Sequence, residues 1–177
     1  KSRKGKWKTT PTHGFAIKRK IYTDGQNPFT EGTARYVATE KKPERAFAQW
    51  IPTIPETGRY AVYVSYQSLP QSVSDAKYLV FHKGGVTEFL VNQQIGGGTW
   101  VYLGTFEFDQ GSNDYGMVVL SNQSNQKGVV CADAVRFGGG MGNIARAAKD
   151  DKEAVPEISG MPRSAEGARY WLQWAGV

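Results

Sequence analysis

The stretch Asp75–Phe108, DAKYLVFHKGGVTEFLVNQQIGGGTWVYLGTFEF, constrains the fold of this chain more than any other. Two short apolar runs, Ala76–His82 and Val86–Val91, flank Lys83-Gly84-Gly85, and a third run, Trp100–Phe108, follows a glycine-rich turn. Paired glycines between such runs take positive φ without a Cβ penalty, which is the backbone requirement of a tight hairpin. The pattern predicts three consecutive antiparallel strands.

The flanking chain repeats the theme. Arg59–Tyr66 alternates with a period of two, placing Tyr60, Val62, Val64 and Tyr66 on one face and Ala61, Tyr63 and Ser65 on the other. That is the pattern of a strand with one face in a core. Thr33–Thr39 and Arg45–Ile51 read as strands split by Glu40-Lys-Lys-Pro-Glu44, and Pro52 and Pro55 close the second. Gly116–Ser121 and Val129–Phe137 read as strands set off by the polar turns Asp109–Asp114 and Asn122–Lys127. The 21 glycines, nine tyrosines and eight phenylalanines among 177 residues suit short strands and tight turns. Together these predict one all-β domain over residues 33–138, a jelly-roll-like antiparallel β-sandwich of about eight strands.

The ends have a different texture. Residues 1–32 form a basic, turn-rich arm, expected to pack only through Trp7, Phe15, Ile17 and Tyr22. Residues 139–177 continue the glycine-rich stretch Gly138-Gly-Gly-Met-Gly142 and pass through the charged Arg146–Pro156. They end in a short predicted helix, Ser164–Ala175, that follows Pro162 and stops at Gly176. Tyr170, Trp171, Leu172 and Trp174 crowd this helix, and a helix so short is marginal without a partner. The partner is either the sandwich or a neighbouring domain to which this linker leads.

Charge narrows the function. The formal net charge is +6, but Lys1–Lys20 holds eight basic residues and no acid, so the body is nearly neutral. A nucleic-acid binder needs cations spread over a folded face and interleaved with stacking aromatics, which argues against that class. No apolar run approaches the length of a membrane span. The single cysteine, Cys131, excludes an internal disulfide and lies in an apolar run, where a buried inert thiol is expected.

No set of catalytic residues is complete. The only histidines are His13 and His82, without His-Glu-x-x-His or Cys-x-x-Cys, so a catalytic zinc lacks its ligands within this chain. The acids lie mostly in turns and tails rather than as a pair flanking a cleft. No catalytic residue, metal ligand or cofactor is therefore assigned. Asp133 either satisfies a buried partner such as an arginine or a tyrosine hydroxyl, or contributes one oxygen to a structural calcium whose remaining ligands the sequence does not supply.

Four residues are candidates for ligand binding. Trp50, at a strand end before Pro52, is expected to be an exposed stacking platform. His82, Asn92 and Gln93, with Gln94, are expected at facing ends of the hairpin as a polar cluster that either binds a ligand or pins the turn. Trp100 alternates with Tyr102, Phe106 and Phe108 and is read as core.

Taken in order, Tyr60-Ala-Val-Tyr-Val-Ser-Tyr66, Ala76-Lys-Tyr-Leu-Val-Phe-His82, Val91-Asn-Gln-Gln94, Thr99-Trp-Val-Tyr-Leu-Gly-Thr-Phe106 and Val130-Cys-Ala-Asp-Ala-Val-Arg-Phe137 resemble the golvesin C-terminal-like domain. That family includes the carbohydrate-binding-like domain attached to xanthan lyases. The resemblance implies a jelly-roll sandwich appended to or inserted in secreted, periplasmic or cell-surface proteins. It also implies a non-catalytic carbohydrate-binding or targeting role, with a glycan or peptidoglycan as partner. Ser159–Gly176 resembles the junction between such a domain and the N-acetylmuramoyl-L-alanine amidase-like region of Bacteroides-type envelope proteins. The alternative this implies is a structural insertion in an amidase-like hydrolase. The amidase's zinc-binding His and Glu residues are absent here, so zinc would belong to the missing catalytic domain.

Overall fold

A computed structural model describes residues 7–10, 13–15, 25–41 and 46–138. The described residues hold a 3₁₀ turn at Pro28–Thr30 and the strands β1 (Lys8–Thr9), β2 (Arg35–Ala38), β3 (Phe47–Trp50), β4 (Gly58–Ser65) and β5 (Ala76–His82). The chain continues through β6 (Gly85–Val91), β7 (Val101–Phe108), β8 (Met117–Ser121), β9 (Val129–Ala132) and β10 (Ala134–Phe137). They form three antiparallel sheets of order β1-β2-β9, β10-β4-β7 and β3-β8-β5-β6, arranged as a sandwich. The all-β class is as the alternation predicts. No helix among the described residues is long and apolar enough to cross a membrane, and the predicted 164–175 helix, Ile17 and Tyr22 lie outside them.

The β5–β6 hairpin has its predicted place, with His82 opposite Gly85, so that Lys83-Gly84 form a two-residue turn. Gly85 carries the positive φ, +118°. The third strand does not continue this hairpin. β7 crosses to the other layer and pairs with β4 from Gly58↔Phe108 to Val64↔Val101. The connection over residues 92–100 is too long for a tight turn, and it is tied down away from β6: Gln93 N–H donates to Val73 O at 3.0 Å and Gly98 N–H to Tyr66 O at 2.8 Å. A hairpin signal specifies a local turn and says nothing about which layer receives the next strand.

Central β4 is buried on both faces rather than one. Tyr60, Val62 and Val64 join Tyr78, Val80, Val118 and Leu120 in the core. On the opposite face Tyr63 lies against Tyr102 with ring centroids 5.3 Å apart, and Ser65 is bonded to Asp133.

A bulge in β7 changes the assignment of its aromatics. Val62 faces Gly104 but Tyr63 faces Tyr102, so Leu103 is an extra residue and the inward–outward alternation changes phase there. Phe106, opposite Tyr60, and Phe108 face the core, whereas Tyr102 shares the outer side with Tyr63. Trp100, on the side of Tyr102, therefore leaves the main core. It packs instead with Phe15 at 4.9 Å and Phe29 at 5.5 Å between ring centroids. Gly104 suits the bulge because a Cβ there would lie 2.7 Å from the Phe106 ring.

The expected last strand is also two strands. Asp133 interrupts Val129–Phe137, so that β9 pairs with β2 and β10 pairs with β4 in a different sheet. Its carboxylate accepts Phe15 N–H at 2.9 Å and Ser65 Oγ–H at 2.8 Å. These partners are a backbone amide and a serine rather than an arginine or a tyrosine. Among the described residues no group of three His, Cys, Asp or Glu is placed to hold a metal ion. The N-terminal stretch is bound by backbone as well as by aromatic rings: β1 pairs with β2, Ala34 N–H donates to Thr10 Oγ1 at 3.1 Å, and Gly32 N–H to Gly14 O at 2.8 Å.

Burial raises the Asp133 carboxyl above its ordinary 3.8, opposed in part by the bonds from Phe15 and Ser65. The folded state thus binds this proton more tightly than the unfolded chain does. Stability from this group is present in full below pH 3.8 and is lost as pH rises through the raised folded value. Asp133→Asn, which keeps an acceptor for Phe15 N–H, should flatten that slope and leave the protein at least as stable at pH 7. Urea denaturation measured across the acidic range checks both outcomes.

Candidate functional site

The four sequence-based candidates do not converge. The hairpin register sets His82 opposite Gly85 at the turn and Ala76 opposite Val91 at the far end. At about 3.3 Å per residue, His82 and Asn92 are therefore roughly 20 Å apart, a correction that follows from the strands running antiparallel. His82 secures the turn. Its Nδ1 accepts Gly84 N–H at 3.1 Å, which leaves Nε2–H to donate to Thr87 Oγ1 at 2.9 Å. Its ring stacks on Phe106 at 4.7 Å, and burial lowers its pKa.

Asn92 closes a local turn, its Oδ1 accepting Gln94 N–H at 3.0 Å. Gln93, expected to meet ligand, is instead wholly buried. Its Nε2 donates to Cys131 O at 2.8 Å and to Tyr78 Oη at 3.0 Å, and its Oε1 accepts Cys131 N–H at 2.7 Å. The amide thereby acts as a peptide group facing β9. The sequence signal for it was Tyr78, an apolar-run residue whose hydroxyl needs a partner once buried. Trp50 is half-buried on β3, opposite Val118 and packed against the core, at the sheet edge away from β6.

The structure assembles a different site. A groove of about 930 Å³ runs beside β2, with Tyr36 in its lining and the loops after β4, β6 and β8 around it. The wall formed by residues 122–128 is cross-wired. Asn122 Oδ1 accepts Ala46 N–H and its Nδ2 donates to Ala38 O, both at 3.0 Å. Thr39 Oγ1 donates to Gln126 O and accepts Gly128 N–H, each at 2.8 Å. Asp75 accepts the Ser124 hydroxyl and, at 2.9 Å, Asn125 N–H, while Gln126 Nε2 donates to Ser74 Oγ at 2.6 Å.

Tyr36, which also packs on the core, and Gln71, Gln94, Lys8 and Lys127 line the groove beside this wall, their side-chain polar groups uncommitted to other described residues. Planar amides can pair with neighbouring hydroxyls, a phenol ring offers a face to C–H groups, and two ammonium groups suit carboxylates. These hydrogen bonds hold the wall in one arrangement, so a ligand seated there would spend little on ordering it. Of these residues only Gln94 belongs to a stretch that the sequence singled out, Val91-Asn-Gln-Gln94; Lys8 and Tyr36 on strands and Gln71 and Lys127 in loops carry no linear signal. Cys131 lies outside the groove, buried, its thiol pushed up to about 12 by that burial and so held protonated at neutral pH.

The Golvesin C-terminal domain matches residues 4–139. The chain belongs to that family. The matched span begins inside the basic stretch, consistent with the pairing of β1 into the fold. The chain is also similar to a xanthan lyase of Bacillus sp. (strain GL1), 36% identical over 90 residues, which is 50% of this chain and 10% of that protein. Its fold is similar to the Paenibacillus xanthan lyase structure, with a TM-score of 0.60 and 27% identity over 78% of this chain and 12% of that one. The golvesin-type domain thus corresponds to about a tenth of these much longer lyases.

Two stability outcomes follow from these placements. Gln93→Leu strands the Cys131 backbone groups and the Tyr78 hydroxyl in the core and should cost about 1–3 kcal/mol in urea denaturation. Cys131 should resist a disulfide-exchange reagent at pH 8 in the native protein and react at once in denaturant, as followed by absorbance.

Proposed function

We propose that this chain is a non-catalytic carbohydrate-binding module of a larger secreted or cell-envelope protein, holding polysaccharide or peptidoglycan in the groove beside β2. The observation that carries this reading is the hydrogen-bonded wall beside Tyr36 and the amides of Gln71 and Gln94, which are uncommitted to other described residues. Membership of the golvesin family and similarity to xanthan lyases support the ligand class. The module brings a neighbouring catalytic domain to its substrate, and Ser159–Gly176 favours an amidase-like hydrolase as that neighbour.

Isothermal titration against xanthan, other acidic polysaccharides and peptidoglycan fragments tests this reading. Tyr36→Ala and the pair Gln71→Ala with Gln94→Ala should each weaken binding by about 1 kcal/mol or more; the glutamine pair should leave the melting temperature unchanged, whereas Tyr36→Ala should lower it because that ring also packs on the core. For a carboxylated glycan, raising the salt should weaken binding further through Lys8 and Lys127. Groove variants that bind like the parent, or a loss seen only with Trp50→Ala, would move the site elsewhere. Absence of binding to every glycan would leave a scaffolding role.

A further inference from the structure

β6 is an open edge of the four-stranded sheet. Among the described residues it pairs only with β5, and it runs through Gly85–Val91 with no bulge in its register and no proline. The two-residue turn makes His82 and Gly85 the first hydrogen-bonded pair of the hairpin, so Val80↔Thr87, Tyr78↔Phe89 and Ala76↔Val91 are hydrogen-bonded pairs too. The main-chain N–H and C=O groups of Thr87, Phe89 and Val91 thus face β5, and those of Val86, Glu88 and Leu90 point away from the sheet. Leu90 is 64% exposed and Val86 53%, and the charge of Glu88 is held by Lys77 at 2.7 Å. Edge strands are ordinarily blunted by proline, a bulge or an unpaired charge. β6 carries none of these.

We propose that β6 pairs antiparallel with β6 of a second copy of the chain, about a two-fold axis at Glu88. The outward groups are spaced as their own complement. In that register Val86 exchanges both main-chain bonds with the copy's Leu90, Glu88 with the copy's Glu88, and Leu90 with the copy's Val86. Side chains of matching chemistry then meet across the seam, an apolar pair on either side of the axis. The two Glu88 carboxylates meet at the axis, and each brings its own Lys77, so the centre holds two neutral pairs rather than a bare repulsion. A shift of two residues along the strand would instead set Glu88 against Leu90 or against Val86, and a shift of one would turn the two copies' faces to opposite sides.

The other edge of the same sheet does not offer this fit. β3 spans only Phe47–Trp50 and is half-buried throughout, and joining β6 to the β3 of a neighbour would repeat from copy to copy without closing. Pairing β6 with itself closes at two copies and leaves no β6 edge open. The seam consists of main-chain bonds and a few apolar side chains, a small area beside that of an obligate dimer, so the association is weak and depends on concentration.

Sedimentation velocity on the complete 177-residue chain, from micromolar to near-millimolar concentration, tests the pairing. The parent should pass from monomer to dimer across that range. Leu90→Lys sets a charge at an exposed edge position, and Glu88→Pro removes an N–H that points away from β5; each should raise the dissociation constant by roughly tenfold or more. An unchanged melt shows that a variant keeps the monomer fold, and should Glu88→Pro melt early, Leu90→Lys decides alone. Nitroxide labels on Glu88→Cys, with Cys131 buried, should lie closer together in the dimer than labels on Val86→Cys, whose positions are offset by roughly 14 Å along the strands. A chain that stays monomeric throughout would overturn the proposal, as would a dimer that keeps its strength in Leu90→Lys or one whose Val86 labels lie nearer than its Glu88 labels.

Discussion

Gln93 sets the relation between the two layers. Its side-chain amide makes two reciprocal bonds to the backbone of Cys131 on β9 and a third to Tyr78 on β5, all inside the core. In a low-dielectric interior each of these groups would be costly unpaired, so the three bonds support one another. That requirement fixes where the loop after β6 must lie. Once it lies there, β7 has to cross to the opposite layer and cannot extend the hairpin.

Asp133 plays the matching part at the other end of β9. By accepting from Phe15 and Ser65 it holds the point where the chain passes from the β2 sheet to the β4 sheet, and it draws the N-terminal stretch onto the domain. A buried carboxylate is an expensive fastener, and the rise in its pKa reports that cost. The aromatic trio of Phe15, Phe29 and Trp100 completes the attachment with apolar area.

The groove beside β2 has its own hydrogen-bonded support. Its wall is rigid because side chains of Thr39, Asp75, Asn122 and Gln126 satisfy loop backbone groups that water would otherwise solvate. A module that binds extended, hydroxyl-rich chains gains from such preorganisation, since each sugar contact is weak and little of it is lost to ordering the protein.

By itself the sequence determined the all-β class, the positions of most strands, the hairpin turn at Lys83–Gly85 and the buried state of Cys131, because these follow from local alternation, turn chemistry and apolar runs. Its motifs in order also carried the family. The tertiary structure alone decided that β7 pairs with β4, that Asp133 splits the last strand, and that the Leu103 bulge turns Trp100 away from the core. It also decided that Gln93 is buried and that Tyr36, Gln71 and Gln94 meet in one groove. Each of these depends on contacts between residues far apart in the chain. A period of two records whether a side chain points in or out along one strand, but one inserted residue reverses it, and it carries no information about the strand on the other side.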